Sequence, residues 1–203
     1  MLETLNQNLF LALNAGPNVS AGARLIGIAI AEYLFWLLPA VMIVAWVVGS
    51  SRMRQALLVA AAAAWIGLAF NKSIGLFWPH PRPFMVGLGQ QLIPHQSDPS
   101  FPSDHMTVIW SVAACLLAAR GAARRLGLAA AILGAVIAWG RIFVGVHFPM
   151  DMAGSALVAA VASIMAWNLV ARPAARCVQI SRTMEWRFRP YIEDLVAKVR
   201  RHA

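Results

Sequence analysis

The chain is short of charge, and above all of negative charge. Only 12% of its 203 residues are charged, and 8 acidic residues stand against 17 lysines and arginines. A soluble domain carries about 25% charged and about 45–50% apolar residues, whereas 60% of this chain is hydrophobic. Cysteine is nearly absent: Cys115 lies inside an apolar segment and Cys177 in a basic tail. Two cysteines so placed give no disulfide framework, and no metal-ligand spacing accompanies them. The N-terminus has neither the basic n-region nor the small-residue cleavage site of a secretory signal, and reads as mature. No internal repeat and no second domain are visible.

What is there is apolar sequence in long runs. A bilayer crossing takes about 20 predominantly apolar residues. Five stretches fit or approach that length: Leu25 to Val48, Ala56 to Phe77, His105 to Ala119, Leu126 to Val146 and Met152 to Ala171. The third is short. This pattern predicts an all-α membrane protein of about five transmembrane helices, with residues 1–172 as a single integral membrane domain and 173–203 as a basic tail.

The net charge of +9 would suit nucleic acid, but its distribution argues against that partner. Arg52 and Arg54 separate two apolar segments, Arg120, Arg124 and Arg125 separate two more, and eight basic residues from Arg172 to Arg201 follow the last. Basic residues on alternate connections are the positive-inside signature of a multi-pass inner-membrane protein. The arginine-bearing links and the C-terminal tail are thereby expected in the cytoplasm. The link at 78–104 and the tight link near 147–151 are expected on the outer, periplasmic side. Residues 1–20 are too few to span. With Leu2, Leu5, Leu9, Phe10 and Leu13 available for one face, they predict an interfacial helix on the outer leaflet. The tail, with an amphipathic helix read around Ile192 to Val199, suits a solvated or anionic-lipid surface.

Three short stretches hold most of the polar chemistry: Lys72 to Phe84, Phe101 to His105 and Gly140 to Asp151. Orienting the spans puts all three on the outer side. In Pro81-Arg82-Pro83 the prolines fix an extended backbone and aim a guanidinium fork suited to phosphate oxygens; snorkelling to lipid heads is the other reading. Ser103 or Asp104 can cap the third span, whose free amides form an anion site, and His105 in its first turn can exchange a proton near neutrality. His147 and Asp151 are four apart, with Pro149 suited to a first helical position. Asp151 can reach back to one ring nitrogen of His147 and leave the other as a nucleophile; plain capping beside a structural histidine is the alternative. Lys72 and Glu32 both fall roughly 10 Å deep at 1.5 Å per residue. Buried ionisable groups are usually paired, so these two are expected to be close. His80 and His95 lie in the outer link without motif support, and loop packing is the expectation for His95.

The trio resembles the signature of the type-2 phosphatidic acid phosphatase superfamily, shared with vanadium haloperoxidases. That signature is a Lys, six residues and Arg-Pro, then Pro-Ser-Gly-His, then Ser-Arg, five residues, His, three residues, Asp. The resemblance covers about residues 70–155. It implies that His147 attacks phosphorus, Asp151 orients it and His105 protonates the leaving oxygen. Arg82, Arg141 and the Ser103 hydroxyl or amide would hold the equatorial oxygens. Gly140 and Asp104 depart from the pattern without removing a catalytic side chain. The family spacing puts its lysine at Gly75, so Lys72 stands one helical turn away, as a phosphate ligand or as the partner of Glu32. No metal and no cofactor are implied.

The blocks His-Pro-Arg-Pro-Phe and Leu-Ile-Pro-His before Phe-Pro-Ser-Asp-His look like the undecaprenyl-diphosphatase branch of bacterial inner membranes. The activity this implies is hydrolysis of undecaprenyl diphosphate through a phosphohistidine. It would recycle the cell-wall lipid carrier, with bacitracin resistance as a family-level expectation. The expected partners are a polyprenyl diphosphate and membrane lipids. A phosphatase for phosphatidylglycerol phosphate, phosphatidic acid or lipid A, and a non-catalytic lipid transporter or scaffold, are the rival readings.

Overall fold

A computed structural model describes residues 1–202, with side chains for 1–183. Among the described residues it is helical throughout, without strands. A short α1 (Leu2–Leu13) leads into α2 (Ala21–Ile28), which continues through a π-helical turn (Ala29–Tyr33) and a 3-10 turn (Leu34–Trp36) into α3 (Leu37–Val48). Next come α4 (Ser51–Phe77), a long connection, α5 (Asp104–Ala118), α6 (Ala122–Phe143) and α7 (Pro149–His202). Four stretches are long and apolar enough to cross a membrane: Ala21–Val48, Ser51–Phe77, Ala122–Phe143 and Pro149–Thr183.

Several boundaries differ from those read off hydropathy, because helices outrun the apolar residues that signal them. α4 starts five residues early, where Ser50 caps it by accepting from the Met53 amide at 3.3 Å. By contrast, α6 stops at Phe143, short of the expected Val146, because the chain turns at Gly145 with a φ of 83°. α7 runs unbroken from the last span into the tail. Pro173 costs that helix one backbone bond, to the Leu169 carbonyl, and does not end it. The amphipathic face expected around Ile192 to Val199 lies outside the described side chains. The first span is not one regular helix: its irregular turns end just before Pro39, which cannot donate back to the Phe35 carbonyl.

α4, α5, α6 and α7 form the core, and the α2–α3 span leans on its outside, touching α6 through Ala29–Tyr33 and α4 through α3. Lipid offers no hydrophobic drive between helices, so close approach of small residues and buried hydrogen bonds must hold them. Ala56, Ala60 and Ala63 of α4 and Ala159, Ala162 and Ala166 of α7 are all buried. α5 and α7 are locked in parallel with one register. Ser155 donates to the Ser103 carbonyl (3.0 Å), Ser163 to that of Ser111 (3.1 Å) and Trp167 to that of Cys115 (3.2 Å), each pair 52 residues apart.

This topology gathers residues 78–103 and 144–148 at one end of the bundle, under α1. The arginine-bearing links lie at the other end, where Arg182 donates to Ser51 at 2.7 Å. α1 sits at the site end with Leu2, Leu5, Leu9, Leu11 and Leu13 exposed and only Asn6 and Phe10 buried. Phe10 packs edge-on against Phe148 at 5.3 Å, Asn6 accepts from the Met150 amide at 3.0 Å, and Asn14 donates to the Phe143 carbonyl at 2.9 Å. Phe10 and Asn6 of α1, with Asn14 just beyond it, thus clamp the turn between α6 and α7.

Candidate active site

That turn carries His147. The chain leaves α6 through Gly145, whose φ of 83° is left-handed backbone costing about 1–2 kcal/mol for any residue with a Cβ. A Cβ there would also overlap the Gln90 carbonyl, beside the bond from the Leu92 amide to the Val144 carbonyl (2.9 Å). Gly145→Ala is therefore expected to lower the midpoint of thermal unfolding in detergent by several degrees, and to reduce turnover because Arg141 and His147 flank the turn.

His147 is 2% exposed. Its Nδ1 lies 3.0 Å from Oδ2 of Asp151, one helical turn along at the start of α7. The same oxygen accepts from the Phe148 amide at 2.8 Å and from the Ser100 hydroxyl. A carboxylate held this way takes the Nδ1 proton and leaves Nε2 with its lone pair. That Nε2 is 3.2 Å from Nη1 of Arg82, so a donor already points at it. Burial lowers the imidazole to about 4, although the Asp151 hydrogen bond raises it; the ring is neutral at pH 7.

Arg82 is 4% exposed and pinned by its own loop. Its Nε donates to the Asp98 carboxylate at 2.9 Å, Nη1 to the Val146 carbonyl at 2.9 Å and Nη2 to the Pro99 carbonyl at 3.3 Å. Burial works to raise the Asp98 carboxyl, but Arg82 brings it below its usual value. Arg141, 1% exposed, lies 3.7 Å from Glu32 and 3.1 Å from Nε2 of His95. Its Nε is buried without a partner among the described residues. Glu32 is thus the neighbour of Arg141, not of Lys72 as its depth suggested. The π-helical turn carries it toward α6, a rotation that counting residues in a regular helix does not foresee.

The third wall comes from α4 and α5. Asn71 of α4, buried, donates to Asp104 at 2.8 Å and to Thr107 at 3.0 Å, and accepts from Thr107 at 3.2 Å. It thereby ties the first turn of α5 to α4. His105 faces the cavity with its ring edge-on to Phe35 at 4.9 Å. Ser103 is the N-cap residue by position, but its side chain is fully buried, caps nothing and has no hydrogen-bond partner among the described residues.

These walls enclose a cavity of about 500 Å³ lined by Arg82, Arg141, His95, His105, His147 and Lys72, among others. Ser103 is not on its surface. Three further residues belong to the site: Ser100 and Asn71, which sequence reasoning passed over, and His95, for which it expected loop packing. His95 donates from Nδ1 toward the Gln96 carbonyl (3.2 Å), which turns Nε2 toward Arg141 as an acceptor; burial and Arg82 lower it from its usual value. Ser100 and Asn71 position Asp151 and Asp104. No spacing marked them: Ser100 and His95 sit in an irregular loop with no periodicity, and Asn71 looks like any polar residue in a span.

A multi-pass helical bundle whose sunken anion pocket holds a histidine–carboxylate pair among arginines defines a membrane phosphatase. The chain belongs to the PAP2 superfamily, whose profile matches residues 55–174, more than half of its length. It is 36% identical over 168 residues to the putative undecaprenyl-diphosphatase YbjG of Escherichia coli, covering 82% of this chain and 83% of that one. It is 32% identical over 155 residues to the undecaprenyl-diphosphatase BcrC of Bacillus subtilis, covering 76% and 79%. Among solved structures it is similar to Aquifex aeolicus LpxE, with a TM-score of 0.65 at 22% identity, over 81% of this chain and 95% of that one. The last likeness is one of fold.

Proposed function

We propose that the protein hydrolyses undecaprenyl diphosphate to undecaprenyl phosphate and inorganic phosphate, through a phosphohistidine and without a metal. The observation that carries this reading is the His147 pair: an imidazole whose Nδ1 is held by a buried carboxylate (3.0 Å) and whose unprotonated Nε2, 3.2 Å from Arg82, stands at a cavity walled by cations. The names of the two relatives above support the choice of lipid.

In the first step the Nε2 lone pair forms a bond to the terminal phosphorus, and the bond from that phosphorus to the bridging oxygen breaks. The electron pair goes to the bridging oxygen, which takes a proton from His105 and leaves as the lipid monophosphate. Arg82 and Arg141 hold the equatorial oxygens, where charge concentrates in phosphoryl transfer. Asp151 stabilises the imidazolium. In the second step water gives a proton to His105 and attacks phosphorus, releasing phosphate and restoring His147.

The arginine pattern supports an orientation with the site on the periplasmic side of a bacterial inner membrane and the C-terminus in the cytoplasm. In that orientation α5 completes five crossings, and α1 lies on the outer leaflet by its exposed leucines. The test is phosphate release by the purified full chain in detergent with excess EDTA. The expected result is faster turnover of undecaprenyl diphosphate than of phosphatidic acid or phosphatidylglycerol phosphate, with inhibition by vanadate. Preference for a monoester would favour the rival lipid phosphatases, and loss of activity in EDTA would contradict the metal-free route.

A further inference from the structure

The cavity is longer than one phosphate. Along α4 it is lined by Gly75, then Lys72 and Asn71, then Leu68. Because α4 runs from the arginine-bearing end toward the site, this order descends into the membrane. Gly75 lies at the level of Arg82: a Cβ on it would sit 3.5 Å from Pro99, whose carbonyl accepts from Arg82. Lys72 is one turn, about 4.5 Å, deeper. There its neighbour Asn71 holds Asp104 and the first turn of α5, the turn that carries His105.

By the depth of their backbone, the cationic residues therefore stand in two tiers. Arg82 and Arg141 form the upper one, beside the neutral His147. Lys72 forms the lower one, on the His105 side. Lys72 makes no ion pair or hydrogen bond among the described residues. The Asp104 carboxylate lines the same cavity and accepts from Asn71 through one oxygen at 2.8 Å, without an ion pair to Lys72 among the described residues. An ammonium at membrane depth without a carboxylate partner calls for an anion, and this one lines a cavity that becomes apolar at Leu68.

We infer that Lys72 binds the lipid-side phosphate of a diphosphate and makes the enzyme selective for anhydrides over monoesters; this rests on the lipid-diphosphatase reading above. The chemistry distinguishes the two substrates. Displacement from His147 drives the leaving group toward His105. From a monoester it departs as an alcohol, neutral once protonated, and a cation gains little there. From a diphosphate it departs as a phosphate monoester that still carries negative charge, and a cation beside it stabilises the transition state. Depth agrees: a lipid held by its tail has its inner phosphate below its terminal one, and its first apolar unit falls at Leu68.

The experiment compares farnesyl diphosphate with farnesyl monophosphate, using the purified full chain and phosphate release. Lys72→Gln is expected to lower the ratio of the two kcat/KM values by about 10- to 100-fold, the range of one hydrogen bond to a charged group. Lys72→Arg should keep the ratio within a few fold. An unchanged ratio in Lys72→Gln, whether both rates hold or both fall together, would overturn the inference. Wild-type protein that cleaves only the monophosphate would instead overturn the diphosphatase reading, before any variant is made.

Discussion

His147→Ala is expected to remove essentially all turnover, a loss of at least about 10⁴-fold, because a nucleophile that forms the covalent intermediate has no substitute. Only Nε2 of this ring keeps an unprotonated lone pair, with Arg82 Nη1 3.2 Å away; Nδ1 is committed to Asp151. Water attacking directly would need a base where His147 stands. The measurement is phosphate release together with acid-labile labelling by a radioactive substrate: both should vanish in the variant. A protein serving only to bind or move lipid would keep its function, so the result also separates phosphatase from transporter. The sign of the pH dependence follows from the same lone pair. The nucleophile works deprotonated, and burial holds His147 near 4, below the usual histidine value. Activity is therefore retained through the mildly acidic range, and the contribution of His147 to the acid limb of kcat/KM appears only as the pH approaches that value.

Asp151→Asn is expected to cost about 10³- to 10⁴-fold in kcat, the scale seen when a catalytic histidine loses the carboxylate that fixes its tautomer. One oxygen of Asp151 accepts from His147 Nδ1, the Phe148 amide and the Ser100 hydroxyl. An amide can still accept from Phe148, but it no longer compensates the imidazolium, and its NH₂ opposes donors. Affinity for vanadate should fall far less than kcat, since Arg82 and Arg141 remain. Asp151→Ala leaves the Phe148 amide without its carboxylate acceptor, and is expected to destabilise the fold by about 1–3 kcal/mol as well. Equal thermal midpoints for wild type and Asp151→Asn, with kcat lost, would assign the carboxylate to chemistry; retained kcat would contradict that role.

Some of this site is legible in the sequence because its spacing is a helical spacing. His147 and Asp151 are four residues apart around the start of a helix, and local geometry alone lets them touch. Arg82 between prolines had few directions to point. Lys72 was harder: its depth along a regular helix could be counted, but its partner could not. Depth along a regular helix points to Glu32, whereas Glu32, in the π-helical turn at Ala29–Tyr33, lies 3.7 Å from Arg141. The resemblance implies Ser103 as a phosphate ligand through its hydroxyl or amide; its side chain lies buried behind the cavity wall.

The division between the two levels has a physical cause. Composition, the length of the apolar runs and the distribution of arginines determined that this is a multi-pass helical membrane protein, because transfer into lipid and charge at its surface act residue by residue. Motif spacing determined which side chains could do chemistry. Tertiary structure decided the rest: that α1 clamps the His147 turn through Asn6 and Phe10, that Ser100 and Asn71 support the two carboxylates, and that His95 meets Arg141. Each of these joins residues far apart in the chain through a loop with no periodicity or a single polar residue in a span, and only the packing of helices brings them within hydrogen-bond or contact distance.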